Sequence, residues 1–166
     1  MYGNRRVLIT TPSRSSGSEL ERAMSLSSVD SIERSVHETN GWLKELAKEL
    51  GHEDRDQAWR VLHAYLRVLR DRLTVDEAAQ LAAQLPLVLR GAFYEGFVPS
   101  RQPVKLRHRE EFLERLADHA QLANPGEAAR AADAATRVLE THVTAGEWDD
   151  VLAQLPTELR ELMQHH

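Results

Sequence analysis

The feature that most constrains this chain is an internal repeat. The string LTVDEAAQLAAQLPLVLR, beginning at Leu73, aligns with VTAGEWDDVLAQLPTELR, beginning at Val143, at an offset of 70 residues. Thr74, Glu77, Ala83, Gln84, Leu85, Pro86, Leu89 and Arg90 meet Thr144, Glu147, Ala153, Gln154, Leu155, Pro156, Leu159 and Arg160. The register holds upstream without a gap. Leu43, Leu46 and Ala47 meet Leu113, Leu116 and Ala117, and Ala58, Arg60, Ala64, Arg67, Val68 and Leu69 meet Ala128, Arg130, Ala134, Arg137, Val138 and Leu139. Seventeen identities fall in the 55 pairs between residues 42–96 and 112–166. Unrelated helices converge on apolar positions, not on a shared Thr-x-x-Glu capping box and a shared Ala-Gln-Leu-Pro string, so the pattern reads as duplication. A unit of this size is marginal alone, because small domains bury too little surface. Two such units are therefore expected to stack and share one core.

The local patterns are helical throughout. Val29, Ile32 and Val36 open an apolar stripe that Trp42, Leu43, Leu46 and Leu50 continue to a stop at Gly51. Asp54 can cap a second helix, whose face carries Ala58, Val61, Leu62, Tyr65, Leu66 and Leu69. The capping box at Thr74–Glu77 starts a third, and LVLRGAFYEG after Pro86 a fourth. The same order resumes at Phe112, with an Asn124-Pro125-Gly126 turn, an Ala-rich helix and a second capping box at Thr144–Glu147. The expected fold is all-α: two tandem pseudo-repeated four-helix units sharing a core. Residues 1–27 are expected to be a flexible tail, 28–100 the first unit, 101–109 a connector and 110–166 the second unit. Arg5-Arg6 followed by Val7-Leu8-Ile9 resembles the start of a twin-arginine signal, but Thr10, Thr11, Pro12 and Arg14 break the apolar run it requires. An Arg- and Ser-containing transit peptide is equally incomplete, and a leader on a cytoplasmic protein is the expectation.

Composition removes several chemistries. With no cysteine among 166 residues, disulfides, zinc–thiolate sites, iron–sulfur clusters and a cysteine nucleophile are excluded. No apolar run reaches the roughly 18 residues a membrane span needs. The net charge of −5 is uneven: residues 1–40 are neutral, 41–110 carry +2 and 111–166 carry −7. A nucleic-acid binder needs a basic face to displace counterions, and the last third opposes one. The basic cluster Arg101, Lys105, Arg107, His108 and Arg109 lacks interleaved aromatics and reads as a solvated connector. The opposite signs of the halves would favour their contact, or equally head-to-tail association of chains.

The segment LRDRLTVDEAAQLAAQLPLVLRGAFYEGF, preceded by WLKELAKELG, resembles a prokaryotic family known as domain of unknown function 2267. The shared motifs are the Trp-Leu-rich helix Trp42–Gly51, Leu69–Thr74, Ala83–Pro86 and Leu89–Gly96; Phe97 stands where many members have Trp. The resemblance covers about residues 36–164. It implies a bacterial, cytoplasmic helical protein and supplies no activity or catalytic residues.

Two constellations are candidates for binding. Trp42, Phe93, Tyr94 and Phe97 can form a groove for a partner helix or a small apolar ligand, against the alternative of core packing. Arg67, Arg70 and Arg72 around Asp71 can clasp a phosphate or carboxylate, against the alternative of ion pairs. Glu49 and His52 have the Glu-x-x-His spacing of di-iron bundles, but their counterparts are His119 and Leu122, so the motif is not doubled. No metal site, cofactor or catalytic residue is assigned. No phosphate loop, nucleophile elbow or His-Glu-x-x-His is present, and the reading leans away from an enzyme. The function expected is a non-enzymatic protein-interaction or assembly module, stress-related, acting on a protein partner or by self-association, without nucleic acid or membrane. The alternatives are an apolar small-molecule binder and an enzyme or metal protein using His and Glu.

Overall fold

A computed structural model describes residues 15–164. Among the described residues all regular structure is helical: α1 Ser15–Glu49, α2 Arg55–Arg70, α3 Val75–Ala83, α4 Leu87–Tyr94, a 3-10 turn at Pro99–Arg101, α5 Arg109–Ala120, α6 Pro125–His142, α7 Ala145–Gln154 and α8 Thr157–Met163. The chain divides into two compact units, Met1–Arg34 and Ser35–His166. In the first, Leu20, Val29 and Ile32 on α1 are exposed. The second holds the core.

Helix starts follow local chemistry. Asp54 accepts the N–H groups of Asp56 and Gln57 at 3.0 and 3.1 Å. Asn124 accepts that of Glu127 at 3.0 Å, and Pro125 fills the first turn, where a missing N–H costs nothing. Thr74 and Thr144 accept the N–H groups of Glu77 and Glu147 at 3.2 and 3.4 Å. Starts recur 70 residues apart, at Arg55 and Pro125, Val75 and Ala145, Leu87 and Thr157. The return half of each expected capping box is not made: the Glu77 and Glu147 Oε1 atoms have no hydrogen-bond partner. At Thr144 the reason is visible, because its N–H already donates to Gln84 Oε1 at 2.8 Å.

The core of the second unit is one continuous cluster drawing on α1 through α8. Its centre is where α2, α5 and α6 pack together. Tyr65 is fully buried, with its hydroxyl 2.7 Å from Thr136 Oγ1 and its ring edge-on to Phe112 at 5.9 Å. Burial pushes the Tyr65 phenol far up. The large α2 residues Val61, Leu62, Tyr65 and Leu66 stand 70 residues before the small α6 residues Ala131, Ala132, Ala135 and Thr136, and all eight are buried.

Three expectations differ from the structure. The first helix starts at Ser15, not near residue 28, so residues 15–27 of the expected tail are helical; residues 1–14 lie outside the described residues. No glycine or proline stands between Ser18 and Ser28, and serine disfavours helix only mildly. Second, Val29, Ile32 and Val36 are exposed, whereas Ser35 and Thr39 are buried. Those two hydroxyls have partners: Ser35 Oγ accepts the Val88 N–H at 2.9 Å, and Thr39 Oγ1 donates to the Ser35 carbonyl at 2.7 Å. Third, the connector is not simply solvated. Leu106 is fully buried, and the Val104 N–H donates to the Asp71 carbonyl at 2.7 Å.

The ends of α1 and α5 share one geometry on different residues. His52 and Leu122 donate their N–H groups to the Ala47 and Ala117 carbonyls at 3.0 and 2.9 Å, around a left-handed residue in each case. That residue is Gly51 at φ 81° after α1 and Gln121 at φ 56° after α5. A left-handed non-glycine residue costs about 1–2 kcal/mol. Gln121→Gly is expected to raise the unfolding free energy by about 1 kcal/mol, read as a higher guanidinium midpoint at unchanged slope.

Candidate functional site

The aromatic residues divide into two places. Phe93 and Tyr94 meet edge-on at 5.2 Å, and Tyr94 and Phe97 at 5.3 Å. Trp42 instead stacks on His142 of α6, with centroids 4.5 Å apart and planes 16° apart; His142 Nε2 lies 2.7 Å from Glu45. Trp42 and Phe93 are buried. Tyr94 lines a surface groove of about 530 Å³ formed with Trp59, Leu87, Val88, Gly91, Ala92 and Glu95. Trp59 was not among the expected site residues. Its neighbour His63 stacks beneath it at 5.4 Å and meets Glu95 at 2.8 Å.

The outer face of α4 is unusually apolar. Leu87 and Val88 are 54% and 37% exposed, and a Cβ built on Gly91 would meet nothing within 4 Å. The residues 70 positions on are Thr157, Glu158 and Glu161. Glu158 serves the next helix, accepting the Arg109 N–H at 3.0 Å with His108 Nδ1 at 3.3 Å. Those contacts, the amide first, hold the Glu158 carboxyl below the usual range.

The three arginines also separate. Arg70 is 3% exposed. Its guanidinium donates to the Phe93 and Glu95 carbonyls at 2.7 and 2.8 Å and twice to Asp71 Oδ1, at 3.0 and 2.8 Å, with the Phe97 ring 5.4 Å from its carbon. It closes the open carbonyl end of α4 with four of its five N–H donors engaged. Arg72 donates to the Val104 carbonyl at 2.5 Å and pins the connector. Arg67 alone makes no side-chain hydrogen bond or ion pair among the described residues, and its Nε is buried. Arg90 and Arg160 play matched structural roles, donating to the Ala82 and Leu85 carbonyls and to the Leu152 and Leu155 carbonyls.

No three His, Asp or Glu side chains converge to hold a metal among the described residues. His52 caps instead, its Nδ1 accepting the Asp54 N–H at 3.1 Å, and Glu49 lies 4.0 Å from Arg137. A second hollow of about 790 Å³, beside the end of α1, mixes Lys44, Lys48 and Arg55 with Glu45 and Glu53 and presents no single charge.

One titratable pair stands apart. Glu77 and Glu147 occupy the first turns of α3 and α7, which pack on each other. Burial first, then Asp150, raises the Glu77 carboxyl; burial first, then Glu77 and Asp150, raises that of Glu147. Neither lines the hollows above. A carboxyl with a raised folded-state pKa stabilises the fold while protonated and loses that contribution as pH rises through the folded value. Glu77→Gln is therefore expected to raise the melting temperature at neutral pH, and the gain should shrink to nothing near about pH 4. Arg70→Gln is expected to cost about 1–3 kcal/mol, because it leaves the Phe93 carbonyl at the end of α4 without its buried donor; urea unfolding measures it.

No helix among the described residues is long and apolar enough to cross a membrane. No curated protein matches the chain. The family model described as an uncharacterized conserved protein (DUF2267) matches residues 39–162, which spans α2 to α7 whole, the C-terminal end of α1 and α8 up to its last residue. The chain belongs to the DUF2267 family.

Proposed function

We propose that the chain is a duplicated helical unit acting as a non-enzymatic protein-interaction module, with the α2–α4 groove as its docking face. The observation that carries this reading is the contrast between matched positions. Leu87, Val88 and Gly91 are apolar and open where Thr157, Glu158 and Glu161 are polar. Exposed apolar side chains gathered on one short helix are the mark of an interaction site. The occupant that fits is one amphipathic helix of a partner protein. Leu87 and Gly91 stand one turn apart, Trp59 supplies an aromatic wall, and the space above Gly91 lets a backbone approach closely.

An apolar small molecule fits less well. Such ligands are enclosed over most of their surface, whereas Leu87 remains about half exposed. The recurrence of helix starts and caps at one offset supports the duplication.

A photo-crosslinking residue placed at Leu87 is expected to trap a single partner in native cells, with the crosslink mapping to one apolar helix edge. A peptide of that segment should bind the natural protein and lose at least about tenfold in affinity to the double variant Leu87→Thr, Val88→Glu, which imports the residues found at 157 and 158. Equal trapping from Thr157, or a peptide indifferent to the double variant, would remove the groove from the reading. Mapping of the crosslink onto a second copy of this chain would replace the partner protein by self-association.

A further inference from the structure

Positions 70 residues apart also differ around one arginine, and the difference changes the local charge. In the second half, Arg137 of α6 is neutralised by two carboxylates: Asp133, one turn earlier, at 3.1 Å, and Glu49 of α1 at 4.0 Å. Its counterpart in the first half is Arg67 of α2. The residue one turn before Arg67 is His63, and the residue 70 positions after Glu49 is His119 of α5, the helix that packs on α2. Both carboxylates are thus replaced by imidazoles.

Two of the acids in the neighbourhood are already engaged, and a third, Asp118, acts on His119 by its charge. Asp71 Oδ1 takes two donors from Arg70 and one from Gln102 at 3.5 Å, and Glu95 lies 2.8 Å from His63. Arg67 is left without a partner among the described residues, with its Nε buried and its guanidinium against Gly96, 3.5 Å from where a Cβ would stand. The backbone there has φ 68°, a turn that glycine permits. Burial, then the charge of Arg67, lowers the His119 imidazole, which leaves it neutral at pH 7 and able to donate one N–H.

We propose that Arg67, with His119, forms a binding site for a phosphate-type oxyanion, in the place that carboxylates hold around Arg137. Guanidinium and imidazole donors coming from two helices match an acceptor with oxygens in several directions better than a planar carboxylate. The site stands apart from the docking groove in its chemistry, and neither reading depends on the other.

The test is thermal unfolding and titration calorimetry of the whole chain with inorganic phosphate against chloride at matched ionic strength. Phosphate is expected to raise the melting temperature saturably, and Arg67→Gln to weaken binding at least about tenfold. His119→Glu imports the residue found at position 49; it is expected to raise the melting temperature in chloride and to abolish the phosphate response. Arg137→Gln should leave the response intact. Phenyl phosphate separates the sources: an equal response assigns the phosphate group of a larger ligand, and no response to it assigns the free ion. A natural protein that responds alike to phosphate and chloride, or a His119→Glu variant that keeps the full response, would overturn the proposal.

Discussion

The hydroxyl bond between Tyr65 and Thr136, 2.7 Å long and fully buried, sits where the rest of the structure converges. It joins α2 to α6 at the centre of a core to which both halves contribute. A helical unit of some 55 residues buries little apolar surface against its ordering entropy and is marginal by itself. Pairing the halves in one core adds buried surface that either would lack by itself. The pairing also explains where the halves diverge. Near the centre, Val61, Leu62, Tyr65 and Leu66 are large and their counterparts Ala131, Ala132, Ala135 and Thr136 are small. Two large sets would overfill a close-packed interior and two small sets would leave a void. One helix supplies volume and the other makes room.

Differences farther out follow another logic. Positions that cap or buttress helices, such as Thr74 and Thr144 or Arg90 and Arg160, keep residue and role alike. Positions on the outer rim of the first half change character: Leu87 and Val88 in place of Thr157 and Glu158, His63 and His119 in place of Asp133 and Glu49. None of these changes fills the core, and each leaves the first half less self-satisfied than the second. An open apolar face and an unneutralised guanidinium are the two results, and both readings of function given above rest on that asymmetry.

Much of the fold was legible in the sequence. Period, caps, and the Gly51 and Pro86 stops placed six of the eight α-helix starts near their observed positions, and the repeat implied the start of α8. The start of α1 was hidden because serine-rich sequence reads as loop while costing a helix little. The valine and isoleucine stripe at 29–36 misled for a related reason: periodicity shows that a face exists, not that something covers it. The site was less legible. Aromatic content pointed to Phe93, Tyr94 and Phe97, which do meet, but burial withdraws Phe93 and stacking on His142 places Trp42 elsewhere. The three arginines looked equivalent in sequence, and only packing shows that Arg70 and Arg72 are occupied by backbone carbonyls. The signal for Trp59, His63 and His119 was present in the aligned halves, in the positions that differ, not in those that agree.

Native-state amide hydrogen exchange tests the mutual dependence of the halves most directly. As guanidinium is raised below the transition, the slowest amides of α2 and of α6 are expected to merge into one isotherm with a single opening free energy. Retention of protection in α2 after α6 has opened, or the reverse, would contradict a core that exists only when both halves contribute.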